Sequence, residues 1–361
     1  MLLATLLLIS LQTTTQPPAG DPPKADPMTL GPQVGQTLPD FEAKDQNGRS
    51  WTRDALKGPK GLVLVLFRSA DWCPYCKGQL VELQQQVEAL RAQGFGVAAL
   101  SYDTQEILKD FATRRAITYP LLSDPDSKII RAFGLINEVD YPPGHQFHGI
   151  PYPGTFVADA KGVVTRKEFE QPYQERRTAA SLLWTAMATT SPTTGGQEIR
   201  TDPFVVRVSS SNEEVMTGER ITLALDFQLA PSMHVYADGA KSYRPLALKL
   251  ADNPFIKGRE VRYPKPTPYT FAPLKETVPV FEGTFRVTQD VVIQPVQRNL
   301  PPDANPVIQL TEIDLAGSLE YQACSDTICY PPASLPLKWT LKVKALDRER
   351  APEALRKKPR P

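Results

Sequence analysis

Histidine and cysteine are both scarce in this chain, with three and four copies among 361 residues. Four thiols are too few for a disulfide-dense scaffold, so their placement has to carry any redox argument. The three histidines (His145, His148 and His234) stand at no ligand spacing beside the cysteines, and neither a metal nor another cofactor is expected. Charge of one sign is also lacking. Lys and Arg total 41 against 40 Asp and Glu, a net charge of +1, which argues against nucleic-acid or membrane-surface binding driven by bulk charge. No apolar run approaches the roughly 18 residues of a membrane span, so none is expected in the mature protein. P-loop, G-x-G-x-x-G, G-x-S-x-G and H-E-x-x-H patterns are missing too, and with them the usual nucleotide, hydrolase and zinc-peptidase signatures.

Proline is abundant. Its 36 copies are about twice the usual ~5% share and indicate linkers and extended loops rather than a helical bundle. A hydrophobic content of 41% is enough to bury one or two cores. At roughly 150 residues per domain, two or three domains are expected.

The apolar start, residues 1–15, reads as a signal peptide, which places the protein outside the cytoplasm, in a bacterial periplasm. A Pro-rich spacer (16–32) follows. A Thr/Ser/Gly-rich linker (189–199) separates a first body (33–188) from a second (200–343), and a charged tail (344–361) reads as solvated. In the first body an apolar strand at 62–67 precedes an amphipathic helix at 77–93. A strand at 96–101, a helix at 106–116, a hairpin at 154–164 and a closing helix at 176–187 follow. Such alternation predicts an α/β fold with a largely parallel sheet. The second body alternates apolar and polar residues at 205–209, 221–227, 246–250 and 337–343, the pattern of an all-β sandwich.

All four cysteines fall into close pairs, Cys73-Pro74-Tyr75-Cys76 and Cys324 with Cys329. The first pair sits between a buried strand and the start of a helix, where free N–H groups and partial positive charge favour a thiolate. On that basis Cys73 is the better nucleophile and Cys76 the resolving thiol. The second pair lies in a turn between strand-like segments, where a hairpin brings two Cα atoms within disulfide reach. Structural staples are the alternative for both pairs. The carboxylates Asp103 and Asp124, near strand ends of the first body, read as solvated loop residues.

Residues 33–188 resemble the alkyl hydroperoxide reductase/thiol-specific antioxidant (redoxin) branch of the thioredoxin superfamily. The likeness rests on the opening segment 38–48, on Trp72-Cys73-Pro74-Tyr75-Cys76 and on the segment 153–157. It implies a thioredoxin-like fold in which Trp72, Pro74 and Tyr75 flank the substrate and Pro153, as the fold's cis-proline, faces the cysteines. This chain has Leu66 and Ala70 where that family has Pro and Thr or Ser ahead of its cysteine, and no Arg near Pro153; Arg68 and Ser69 stand close by. Residues 200–343 resemble the N-terminal periplasmic domain of thiol:disulfide interchange protein DsbD, through Tyr321-Gln322-Ala323-Cys324 and Cys329-Tyr330-Pro331-Pro332. That likeness implies an immunoglobulin-like sandwich with a redox-active pair, Phe281 as a shielding cap, and His234 and Tyr236 near the site.

Together the resemblances imply an exported thiol–disulfide oxidoreductase. Cys73 and Cys76 would exchange with substrate, and Cys324 and Cys329 would relay electrons across a flexible tether from a membrane thiol–disulfide carrier. The acceptor is either a protein disulfide or, for a peroxiredoxin-like antioxidant enzyme, a hydroperoxide. A binding module with two structural disulfides is the non-enzymatic alternative.

Overall fold

The computed structural model describes residues 26–186, 196–271, 276–295 and 310–356. The expected signal peptide, residues 16–25 of the spacer, residues 189–195 of the linker and the basic end 357–361 lie outside the described residues.

The first body opens with a hairpin, β1 (Glu42–Asp45) and β2 (Ser50–Thr52), and a short helix α1 (Arg53–Leu56). Strand β3 (Gly61–Leu66) is buried along its whole length, as its unbroken apolar run requires. Helix α2 (Pro74–Ala92) starts with proline in its first turn, where a missing N–H costs nothing, and buries Leu80, Leu83, Val87 and Leu90. Next come β4 (Phe95–Ser101), α3 (Gln105–Arg115), β5 (Leu121–Ser123), α4 (Lys128–Ala132), β6 (Gly154–Asp159) and β7 (Val164–Phe169). The strands run in the orders β2-β1-β5-β4 and β3-β6-β7. The Phe67 N–H donates to the Leu100 carbonyl at 3.0 Å, which joins the two halves. Pairing is parallel between β4 and β5 but antiparallel for β1 with β5, β3 with β6, and β6 with β7. The sheet is therefore mixed, not largely parallel, because hairpins flank the single run of strand–helix crossovers.

A helix was expected from residue 176. Instead Arg176–Arg177 form a two-residue strand, β8, and helix α5 runs only Ala179–Ala186. Glu82 explains the late start: its carboxylate accepts the N–H groups of Ala179 (2.7 Å) and Ala180 (3.0 Å) and so caps the helix from α2.

The second body contains β9 (Gln197–Arg200), β10 (Phe204–Ser210), β11 (Glu214–Val215), β12 (Glu219–Leu229), β13 (His234–Tyr236), β14 (Ala247–Leu250) and β15 (Ile256–Arg262). It continues with β16 (Thr267–Phe271), β17 (Glu276–Glu282), β18 (Thr284–Ile293), β19 (Glu312–Tyr321), β20 (Ala323–Cys324) and β21 (Ala333–Val343). One sheet has the order β15-β18-β12-β10-β9, a second β11-β21-β19-β14, and a small third β16-β17-β13-β20. The first two enclose a core that includes Val206, Leu223, Leu225, Leu315 and Trp339, a sandwich with apolar residues inward and polar ones outward. Residues 197–199, read as linker, belong to a strand of this sandwich, β9.

The bodies are joined by more than a tether. Strand β8 pairs in parallel with β12, Arg176 opposite Glu219 and Arg177 opposite Arg220, so the first body adds a strand to the sandwich sheet. Arg177 reaches Asp290, Arg220 reaches Glu168, and Asn212 donates to Glu82 at 3.2 Å. The charged tail, although largely exposed over its described part, is pinned to the first body at several points. Asp347 pairs with Arg115 at 2.9 Å and Lys77 at 3.3 Å, and Ala351 is buried. Among the described residues no helix is long and apolar enough to cross a membrane.

Candidate active site

Cys73 caps the N-terminus of α2 and Cys76 lies one turn in, with 2.6 Å between their sulfurs. Both are buried, at 1% and 0% exposure, so a protein disulfide does not reach either sulfur in this arrangement. Their protons are coupled, and the direction expected at Cys73 is reversed. Burial, followed by the hydrogen bond with Cys76 and the charge of that sulfur, pushes Cys73 well up. Burial also works against the Cys76 thiolate, but the hydrogen bond with Cys73, the charge of Arg176 and the N–H groups of Ser69 and Arg68 outweigh it and bring Cys76 down to about 6.

The loop ahead of the pair is fixed by Asp103, which accepts from the Ala70 N–H (2.7 Å), the Ser69 hydroxyl (2.9 Å) and the Ser101 hydroxyl (3.2 Å). Asp103 and Asp124 are both buried, contrary to the solvated reading. Burial pushes Asp103 up to about 7 despite those hydrogen bonds. Asp124 closes a turn by accepting the N–H groups of Lys128 and Ile130, each at 2.9 Å. Trp72 donates its indole N–H to the Tyr102 hydroxyl (2.9 Å) and stacks on Phe147.

Arg68 is the cation nearest this loop in sequence, and its side chain is buried. Its guanidinium donates to the Tyr141 hydroxyl at 2.7 Å and lies over the Tyr173 ring at 4.0 Å, while Nε has no partner. Arg68 and Pro153 border the same cavity, of about 630 Å³, along with Tyr141, Tyr152 and Tyr173. Pro153 is preceded by a trans bond, and the cis X-Pro bond among the described residues is Gln171–Pro172. The Tyr152 N–H is held by the Leu135 carbonyl at 2.7 Å, and the chain runs extended into β6, an approach the ordinary trans bond allows.

Sequence reading missed Arg176, which sits inside an apparent helical pattern with no local signal of its role. It is buried, and Nε and Nη2 lack partners. Tyr75 also meets the sandwich: a Cβ on Gly218 would come 3.1 Å from its ring and would collide with the Gln174 carbonyl, and Gly218 has φ +91°. Next to it, the Met216 side chain lies so close over Gly78 that any Cβ there would collide with it.

The second pair is a disulfide, Cys324–Cys329, with Cys324 buried and Cys329 exposed. Phe281 does not cap it. Val235 pairs with Phe281 and Ala323, whereas His234 pairs with Glu282 and Cys324. Side chains alternate along a strand, so Phe281 shares the core face and Cys324 the opposite one. Tyr236, Tyr243 and Tyr269 pack on the Cys324 side, and the buried His234 beside them has neither ring nitrogen bonded.

The two pairs are not brought together. Lys342 pairs with both Glu214 and Glu312, which places the first residue of β19 at the end of the sandwich that meets the first body. Ten residues of β19 then lead to Tyr321, three before Cys324. At a rise of about 3.4 Å per residue, this puts roughly 30 Å between the docked end and the disulfide.

A thioredoxin-like fold with a buried Cys-x-x-Cys pair at a strand–helix junction, docked to a sandwich carrying a disulfide, defines a thiol-dependent oxidoreductase. Comparisons with known proteins agree. Residues 34–167 match the AhpC/TSA family, and residues 205–336 match the family described as thiol:disulfide interchange protein DsbD, N-terminal. Alkyl hydroperoxide reductase E of Mycobacterium bovis is 33% identical over 154 residues, covering 42% of this chain and 93% of the relative. Chloroplastic peroxiredoxin Q of Sedum lineare is 33% identical over 130 residues, 36% of this chain and 65% of the relative. Among solved structures, peroxidoxin BcpB of Mycobacterium tuberculosis aligns with a TM-score of 0.34 and 24% identity over 39% of this chain and 86% of its own. The chain belongs to the AhpC/TSA family and carries a DsbD N-terminal domain behind its redoxin domain.

Proposed function

We propose that the chain is a thiol peroxidase in which Cys73 and Cys76 reduce a small hydroperoxide and Cys324 and Cys329 supply the electrons. The observation that carries this reading is the burial of both sulfurs, which excludes a folded protein, with Arg68 bridging from the Cys76 sulfur, to which its backbone N–H donates at 3.4 Å, to a cavity sized for a small acceptor. The named activity of the mycobacterial relative supports the same choice. With one proton held between sulfurs 2.6 Å apart, Cys73, at the loop end, takes up the charge and attacks. The O–O bond breaks, the alkoxide or hydroxide leaves and is protonated, and Cys73 becomes a sulfenic acid. The Cys76 thiol condenses with it, releasing water and leaving a disulfide.

The sandwich disulfide lies too far away to exchange with this pair in the docked arrangement, so re-reduction proceeds between molecules or after undocking. Undocking would also open the pair to protein disulfides, the second reading. The proposed location is the bacterial periplasm, supported by the apolar first residues, with a membrane thiol–disulfide carrier as donor.

Stopped-flow oxidation of the reduced protein, followed by Trp72 fluorescence, tests the proposal. Fast oxidation by hydroperoxide that is lost in Cys73→Ser is expected, with Cys76→Ser stopping at the sulfenic acid. Oxidation no faster than that of a free thiol would remove the peroxidase reading.

A further inference from the structure

We infer that Arg176 is the cation that stabilises the anionic form of the Cys73–Cys76 pair, and that the sandwich domain holds it there, so the reactivity of the redoxin site depends on docking of the second domain. The inference deepens the proposed function by naming what regulates that same site.

Four observations lead to it. Arg176 is 4% exposed, and two of its guanidinium nitrogens, Nε and Nη2, have no partner, an arrangement that is costly unless an anion is at hand. Its backbone belongs to the sandwich sheet: the Arg176 N–H donates to the Gly218 carbonyl at 2.8 Å, and Arg176 pairs with Glu219. The same turn touches the Cys-x-x-Cys helix, Gly218 against Tyr75 and Met216 over Gly78, so the strand bearing Arg176 is seated beside the pair. Finally, the carboxylates around it are engaged elsewhere. Glu175 is bound by Arg259, Glu170 by Arg220, and Glu219 accepts the Met216 N–H while burial holds it protonated up to about pH 8.

The electrostatics agree, since Arg176 draws both thiols downward, as the leading cation at Cys76 and after Arg68 at Cys73. The other titratable groups around the pair are Arg68, Tyr75, Tyr141 and Tyr173, with Asp71 neutralised by Arg350 of the tail. None of these belongs to the sandwich, so the sandwich acts on the thiols through Arg176.

The test is the pH dependence of iodoacetamide alkylation of the fully reduced, full-length protein. Arg176→Met should move the alkylation midpoint upward by a pH unit or more, slowing alkylation at pH 5, below both midpoints, by about tenfold, and Arg176→Lys should restore most of the rate. Two variants that leave Arg176 in place should move the midpoint in the same direction by loosening the dock. In Gly218→Val the new side chain collides with the Gln174 carbonyl, and in Asp290→Asn the partner of Arg177 loses its charge. Circular dichroism confirms that each variant is folded. A folded Arg176→Met protein with an unchanged midpoint would overturn the inference, as would dock variants without any shift. If the midpoint moves but hydroperoxide oxidation is no faster than for a free thiol, the inference stands and the peroxidase reading fails.

Discussion

Arg350 grips Asp71 through two hydrogen bonds of 2.7 and 2.6 Å, so the C-terminal tail braces the loop two residues ahead of Cys73. The Ala351 N–H adds a third bond to the same carboxylate at 2.8 Å. Burial alone would push the Asp71 carboxyl up, and these donors hold it below the ordinary value instead.

Replacing Arg350 with Ala strands a buried carboxylate. Because Arg350 is itself part-exposed, the expected loss is roughly 1–3 kcal/mol at pH 7, at the level of one charge-assisted hydrogen-bonded pair. A depressed carboxyl contributes stability above its unfolded pKa and loses it as pH falls through the folded value. The gap between wild type and Arg350→Ala in urea unfolding should therefore close below about pH 4. A gap of equal size at pH 7 and pH 3 would show that Arg350 acts through packing rather than charge.

The domain interface titrates from both sides. Glu219 is pushed up to about 8 by burial and then by the charge of Glu82, so the folded state keeps a proton that the unfolded chain releases near pH 4. Stability should fall as pH rises from about 4 towards 8, by at most about 1.4 kcal/mol per pH unit from this group. Asp290 behaves in the opposite sense. Burial opposes its charge, but Arg177 leads the groups that lower it to about 2, so its contribution is present at neutral pH and disappears in strong acid. Glu219→Gln should flatten the alkaline slope in thermal melts and leave the acid limb intact. An unchanged alkaline slope would rule out Glu219 as its source.

The separation of the two redox pairs has a kinetic consequence. If the domains stay docked, recycling is intermolecular, and turnover per molecule should rise with protein concentration. A Cys73→Ser/Cys76→Ser variant mixed with a Cys324→Ser/Cys329→Ser variant should regain activity that neither has alone when electrons enter at the sandwich. Concentration-independent turnover, with no rescue on mixing, would point to exchange within one molecule after undocking.

The local patterns proved readable where one element decides the outcome. The apolar run of β3, the spacing of Leu80, Leu83, Val87 and Leu90 on α2, and the alternation in β10 and β12 each reflect a backbone period that survives any tertiary context. Reading went astray where a partner distant in sequence sets the outcome. Arg176 and Arg177 carry helix-compatible side chains, yet hydrogen bonds to the Gly218–Arg220 segment make them a strand. Phe281 lies close to the disulfide in the sheet, but strand register turns it to the other face.

Composition and local spacing thus determined two thiol pairs, an α/β body and a β-sandwich, and short motifs supplied the redoxin resemblance, because these depend on residues within a few turns or strands of one another. Tertiary structure settled what surrounds the thiols. The tail on Asp71, the seat of Arg176 and the roughly 30 Å between the docked end and the second disulfide all arise from contacts between residues tens to hundreds of positions apart. Charge, hydrogen bonding and register act through space, and no local pattern records them.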